Sequence, residues 1–510
     1  MEPSKQDKIL QLNNYVNQLE TQIRKGKTKI TDRPNGNPLL AYAIRANTKK
    51  VVDYLISQGA NVNDVDRNGD PLIFLPFTND LHDGTDMGRH LFSRGASPHV
   101  TMKTGERCKL EDVATNPTAK YWIREAKRQP EMPLKSLEAL KSARCAWIKG
   151  LPFTVVGQPV AKKIVKEAVV NFKLNPKGNK PLVLLFAGPS GHGKSILSEL
   201  IAEMASIPFV FIPCESFTDE KTMFGAQAPY MGCEKGSQLN NFITERHEKP
   251  GLVLLDEFEK TQYDVWNGFL TVFENGRYTD RRVREGKVLD CSQLIFVLTT
   301  NVADPRIVRF YAGSTILKAP EGTYPVADVD REYEKLCEAI TLGAQENFGL
   351  PIVGRMNGMV PFIPFNKEEA LVVSDSIVRE SQLRFAEPKS DKKHIDPVRL
   401  DVTEAAVRLI ASSYKPDLGA RSLRNEVEYR IDMALTKEWL EKPGDRFHAC
   451  EHENRVIVRT GPLPKDLSRS QGTLAEGEEP IVGHTDEDGA DEVSGGEDEP
   501  DRNAVEAPDF

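Results

Sequence analysis

Eight consecutive residues, Gly188-Pro189-Ser190-Gly191-His192-Gly193-Lys194-Ser195, have the types and spacing to hold a string of phosphates. The three glycines let successive backbone N–H groups curl around phosphate oxygens. Lys194 has the reach to contact the outer phosphates, and the Ser195 hydroxyl is a ligand of the kind Mg²⁺ takes. Some sixty residues on, Asp256-Glu257 supplies two adjacent carboxylates. Asp256 is suited to hold magnesium through water, and Glu257 to orient and deprotonate an attacking water. The Asn301 amide could position the same water, or it could simply close a strand end in a turn. Together these groups imply a chain that binds ATP with Mg²⁺ and hydrolyses it.

Such chemistry needs a rigid support. Each group ends an apolar run: Leu182–Phe186 precedes the glycine loop, Leu252–Leu255 precedes Asp256, and Leu294–Leu298 precedes Thr299-Thr300-Asn301. Fully apolar runs of this length fit strands buried on both faces. The residues after Ser195 are amphipathic, so the glycine loop opens a helix whose N-terminus adds partial positive charge at the phosphates. Three strands that end in phosphate or water chemistry imply a doubly wound α/β domain with its site at the carboxyl edge.

Val156-Gly-Gln158, the glycine loop, Leu254-Leu-Asp-Glu-Phe-Glu-Lys260, Thr300-Asn301 and Gly419-Ala-Arg421 occur in the order found in AAA+ ATPases. The Asp-Glu-x-Glu-Lys form, Glu274-Asn-Gly-Arg-Tyr-Thr-Asp280 and Gly-Ala-Arg resemble the Clp family, in particular the second ATPase module of ClpB-type disaggregases. The resemblance runs from about Leu151 to Thr460. It implies that Val155 and Val156 flank the adenine, that Arg421 senses the γ-phosphate, and that Arg355 is a finger entering a neighbouring subunit's site. It also implies a pore loop in which Tyr230 and Met231 grip an extended polypeptide. The partners implied are further copies of the chain in a ring, a hexamer by resemblance, and unfolded or aggregated protein clients. The sequence departs from the family at Pro229, where a glycine usually precedes the aromatic, and at Gly349, where many relatives carry a second arginine. Nothing between Asn301 and Arg355 resembles the tripeptide that docks Clp ATPases on a peptidase, so remodelling is favoured over degradation.

Upstream, Asn35-Gly-Asn-Pro-Leu-Leu-Ala-Tyr-Ala43, Val51–Ile56 and Gly59-Ala-Asn-Val-Asn63 follow the ankyrin order of turn, helix, helix and glycine-led loop. The next Asn-Gly begins at Asn68, a period of 33 residues from Asn35. The expected organisation is an N-terminal helix (1–30), an α-helical ankyrin-like stack (31–128), a linker (129–150), a parallel-sheet α/β P-loop domain (151–365), a small α+β lid (366–462) and a disordered acidic tail (463–510). An ankyrin face implies a further protein partner.

Charge and composition narrow the function. From Ser470 onward fourteen acids face one base, Arg502, giving that segment −13 and leaving the rest near +5 out of a total of −8. Such a segment cannot bury enough apolar surface to order itself. A nearly neutral body and an aromatic candidate pore loop argue against a nucleic-acid motor or clamp loader. No apolar run is long enough to span a bilayer. Seven scattered cysteines without a Cys-x-x-Cys pair fit a reducing compartment. The acidic residues near the N-terminus suit neither a secretory signal nor a mitochondrial presequence. The expectation is a cytosolic ATP-driven unfoldase or disaggregase. The rival is a nucleotide-regulated ankyrin scaffold that binds a partner without unfolding it.

Overall fold

The computed structural model describes residues 5–464 apart from 79–83, 104–107, 115, 131, 175–178, 229, 284–285, 320–322 and 387–396. The acidic tail and Pro229 lie outside the described residues. The described residues divide into two compact units: those up to 91 together with 96–119 in one, 92–95 and 120–463 in the other.

Among the described residues ten strands follow in chain order: β1 (Leu182–Ala187), β2 (Phe209–Pro213), β3 (Gly251–Asp256), β4 (Arg277–Asp280), β5 (Lys287–Asp290), β6 (Leu294–Thr300), β7 (Gly358–Pro361), β8 (Arg399–Val402), β9 (Arg446–His452) and β10 (Arg455–Thr460). Five of them form a sheet of order β2-β3-β6-β1-β7, parallel at every pairing. Its central strands β1 and β6 are buried along their whole length. Alternate residues divide between two cores. Val183, Leu185, Val253, Leu255, Phe296 and Leu298 face one; Leu184, Phe186, Leu252, Leu254, Ile295 and Val297 face the other. Each such side chain contributes about 1.5–3 kcal/mol on burial, which is why these runs carry no polar face. The edge strands β2 and β7 are less completely buried, although Phe209–Ile212 on β2 is itself a continuous apolar run. On β2, Phe211 is 41% exposed, and β7 has four residues beginning with Gly358.

The span 129–150 is more than a tether. Its helix Leu134–Ser142 buries Leu140, which joins Cys145, Ile148 and Leu151 in the core containing β1.

Beyond β7, the helices Lys367–Ala386, Glu404–Ala411, Ala420–Val427 and Met433–Glu441 pack around a three-stranded sheet of order β10-β9-β8. The β9–β10 pair is antiparallel, with Phe447 opposite Thr460. Thr403 caps Glu404–Ala411 by accepting from the Ala406 N–H at 3.3 Å, and Ala406, Val407 and Ile410 turn inward at helical spacing. This is a separate small core, and it forms the lid.

In the first unit, helix Lys5–Arg24 buries Leu12, Tyr15, Val16 and Leu19 at helical spacing. Helices Leu39–Arg45 and Lys49–Ser57 form a pair closed by Gly59. Its loops are tied at a near-constant separation. The Arg67 N–H donates to Asn37 Oδ1 (3.0 Å), Ser97 N–H to Asn63 Oδ1 (2.7 Å) and Lys103 N–H to Asp70 Oδ1 (2.6 Å), across 30, 34 and 33 residues. Bonds that recur at that spacing describe stacked loops. Among the described residues no helix is long and apolar enough to cross a membrane.

Candidate nucleotide site

The loop from Gly188 to Gly193 joins β1 to the helix Lys194–Ala205, so its backbone N–H groups crowd the helix N-terminus. Gly191 has φ +78°, and a Cβ there would lie 2.5 Å from the Leu418 carbonyl oxygen of the lid. Only glycine fits both demands. Lys194 is buried. Its Nζ donates to Asn301 Oδ1 at 2.8 Å, to Pro189 O at 3.2 Å and to Gly188 O. Burial pulls its pKa down, opposed by the carboxylates of Asp304, Glu259, Asp256 and Glu257. The ammonium is thus held at the loop by neutral acceptors, which phosphate oxygens would outcompete by charge.

The acids gather opposite. The Ser195 hydroxyl donates to Asp256 Oδ1 at 3.0 Å. The same oxygen accepts from the Thr299 hydroxyl at 2.7 Å, and Thr299 Oγ1 in turn accepts from the Glu257 N–H at 2.9 Å. Glu257 sits at φ +55°, ψ +52°, a left-handed backbone that glutamate rarely adopts. Such strain persists where the surrounding structure imposes it, typically at functional positions. Glu259 Oε1 accepts from the Asn301 N–H at 3.0 Å. Glu259 Oε2 and Asp304 Oδ1 are buried without a hydrogen-bond partner. Burial pushes the Asp304 carboxyl up to about 7, against the opposing pull of Lys194.

These residues fit Mg²⁺. Ser195 Oγ and Asp256 Oδ1 are hard oxygen donors lying side by side. Among the described residues no group of three or more His, Cys, Asp or Glu side chains could hold a metal. Mg²⁺ takes one or two protein ligands and fills the rest of its shell from phosphates and water.

The glycine loop, Ser195, Asp256, Glu257 and Asn301 therefore converge at the carboxyl edge of β1, β3 and β6. Val155 borders the loop, its Cγ1 3.4 Å from where a Gly193 Cβ would sit. Val156 packs on the lid core. Arg421 stands in the first turn of Ala420–Val427 with its backbone N–H beside Gly191, and its side chain is exposed. Arg355 is not brought to this site. Its Nε lies 3.0 Å from Glu274 Oε2, off the N–H direction, so the contact is an ion pair rather than a hydrogen bond. Its Nη1 donates to Pro351 O. Tyr230 and Met231 are 72% and 99% exposed. At Gly349 the backbone has φ +82° where the long helix Val326–Phe348 ends, a turn that an arginine would strain.

Four participants were given no role by the sequence. Thr299 links the two carboxylate residues, Glu259 holds Asn301, and Asp304 faces Lys194. From the helix Pro117–Arg128, the Tyr121 hydroxyl accepts from the Gly157 N–H at 2.8 Å. Nearby, Lys162 donates to Val155 O at 3.3 Å and lies 3.7 Å from the buried Glu125 carboxylate. Glu259 was legible only as part of the Asp-Glu-x-Glu pattern.

Residues 179–357 match the family model of the AAA domain (Cdc48 subfamily), and 375–449 match that of the C-terminal D2-small domain of ClpB. The chain carries an AAA+ ATPase module of the Clp/ClpB type. Residues 141–207 also match the Torsin model. This ATPase is 28% identical over 292 residues to the chloroplastic chaperone protein ClpB3 of Arabidopsis thaliana, covering 56% of this chain and 28% of that one. It is 25% identical over 323 residues to the chaperone protein ClpB of Gloeobacter violaceus, covering 61% and 34%. The chain thus spans about three tenths of the length of the curated relatives it matches. Among solved structures, a closed-state cryo-EM reconstruction of Hsp104 with ATPγS and FITC casein aligns with a TM-score of 0.48 at 19% identity, covering 90% of this chain and 69% of that one.

Proposed function

We propose that this ATPase is a protein unfoldase or disaggregase that works as a ring, a hexamer by resemblance, and draws unfolded chains past Tyr230 and Met231. The observation that carries the proposal is the split between its functional groups. Lys194, Ser195, Asp256, Glu257 and Asn301 meet at one edge of the sheet, whereas Arg355 is held away from them by Glu274. A site that lacks its cationic finger within the same chain fits completion by a neighbour.

In this reading ATP lies along Gly188–Ser195, with its adenine between Val155 and the lid residue contacts of Val156. Magnesium held by Ser195 and Asp256 supplies charge neutralisation at the phosphates. Glu257 takes the proton of the attacking water. Asn301 and Lys194 follow the γ-phosphate, and Arg421 passes its loss to the lid. The Arg355 finger of one copy stabilises charge in its neighbour's site. Exposed Tyr230 and Met231 offer apolar area without sequence readout, which suits unfolded protein as the client. We assign the first unit to an ankyrin-type stack that recognises a protein partner, and the chain to the cytosol, where its seven free cysteines stay reduced.

The test is phosphate release with and without a permanently unfolded protein, beside sizing in ATP. Stimulation and assembly are expected, and Tyr230→Ala should lose both the stimulation and the recovery of aggregated luciferase. A chain that stays monomeric, indifferent to unfolded protein, would instead favour a nucleotide-controlled scaffold. The Tyr121–Gly157 bond between helix Pro117–Arg128 and the adenine-side loop is the observation on that side.

A further inference from the structure

His192 is the one titratable side chain inside the glycine loop besides Lys194, and it points away from the phosphate cradle into a buried contact with the lid. It is 1% exposed. Its Nδ1 lies 3.1 Å from Pro189 O, and its Nε2 lies 2.9 Å from the Tyr414 hydroxyl. The Tyr414 oxygen also accepts from the Phe365 N–H at 2.8 Å. A carbonyl only accepts, so Nδ1 carries the ring hydrogen, Nε2 accepts, and the Tyr414 O–H donates to it. The three bonds run in one direction, Phe365 N–H to Tyr414 to His192 to Pro189 O, and polarise one another. The His192 and Phe365 rings pack in a tilted arrangement, 38° between planes, with centroids 4.9 Å apart.

The positions of these residues give the chain its meaning. Phe365 lies just after β7, where the large domain passes into the lid; Tyr414 belongs to the lid; Pro189 belongs to the phosphate loop and shares its carbonyl with Lys194. At the same seam the Ala420 N–H donates to Gly191 O at 2.9 Å, and a Cβ on Gly419 would lie 2.7 Å from Ser190 O. There is no slack here for the lid to turn without breaking contacts to the loop.

We propose that His192 and Tyr414 form a hydrogen-bonded hinge latch that sets the phosphate loop according to the position of the lid, so that both are positioning residues for nucleotide retention. The inference rests on the reading of Gly188–Ser195 as the phosphate cradle. Burial keeps the imidazole neutral, with a pKa brought down to about 4, so the latch is made throughout the physiological range.

The full-length protein is titrated with a fluorescent ADP analogue. Tyr414→Phe and His192→Leu are each expected to weaken binding by roughly three- to tenfold, the range of one neutral hydrogen bond. The double variant should be no weaker than the worse single, because either change cuts the same chain. His192→Gln, whose amide both donates and accepts, should recover most of the loss seen in His192→Leu. Losses that multiply in the double variant, or a glutamine no better than leucine, would overturn the latch. If His192→Leu does not fold, Tyr414→Phe carries the test through ADP dissociation in a chase experiment: faster release by the same factor supports the latch and an unchanged rate overturns it. Wild-type protein that binds no nucleotide would overturn the cradle itself, and the latch with it.

Discussion

Thr299 gives its hydroxyl hydrogen to Asp256 at 2.7 Å and takes one from the Glu257 backbone at 2.9 Å, so one side chain on β6 spaces both acids at the end of β3. The parallel β3–β6 pairing makes this possible: Leu255 opposite Leu298 places the two strand ends side by side. Thr299→Val keeps the shape and removes the bridge. We expect turnover to fall by about ten- to a hundredfold with ATP affinity nearly unchanged, read as kcat against KM, because the acids move while the cradle stays.

Glu257→Gln retains the size of the side chain and removes the base. Nucleotide binding and assembly should persist, and phosphate release should fall by about 10²–10⁴. Turnover at the wild-type rate in that variant would exclude Glu257 from proton abstraction.

Arg355 and its partner Glu274 make separable predictions. Arg355→Ala should lower turnover by about 10³-fold while leaving the affinity of dilute, unassembled protein for ATP intact. Glu274→Gln frees the guanidinium, and its effect should appear as a change in how specific activity rises with protein concentration. Turnover that is independent of concentration in both variants would remove the finger role.

Asp304 predicts a pH dependence of stability. Its carboxyl titrates near 7 in the folded protein and near 3.8 when exposed, so the folded state holds more protons between those values. Stability from this group is therefore greatest at low pH and declines as pH rises towards and through 7, with the full penalty present above. Thermal melts of the nucleotide-free protein should show Asp304→Asn gaining on wild type between pH 5.5 and 8. A gap that stays constant over that range would count against the assignment.

The central strands and the phosphate loop were legible because buried parallel strands leave unbroken apolar runs, and because the loop needs its glycines in fixed places. The lid was also readable in outline as a small α+β unit, its helices from spacings such as that of Ala406, Val407 and Ile410. Strands β2 and β7 were not: Phe209–Ile212 is as apolar as Leu252–Leu255 but ends in no phosphate or water chemistry, and β7 is only four residues opening on Gly358. The roles of the linking groups were hidden for a different reason. Thr299, Glu259, Tyr121 and Tyr414 act through residues distant in sequence, and a hydrogen bond across 42 or 36 positions leaves no local pattern. His192 was visible in the loop, but its turn towards the lid depends on where Tyr414 folds.

The left-handed backbone at Glu257 sets stability and chemistry against each other at one position. Glycine would relax the chain there at once, and it would delete the carboxylate that the reaction requires. A library screened only for survival on heating would therefore enrich glycine at 257 and return sturdy, inert proteins; hardening this molecule means screening for phosphate release in the same step.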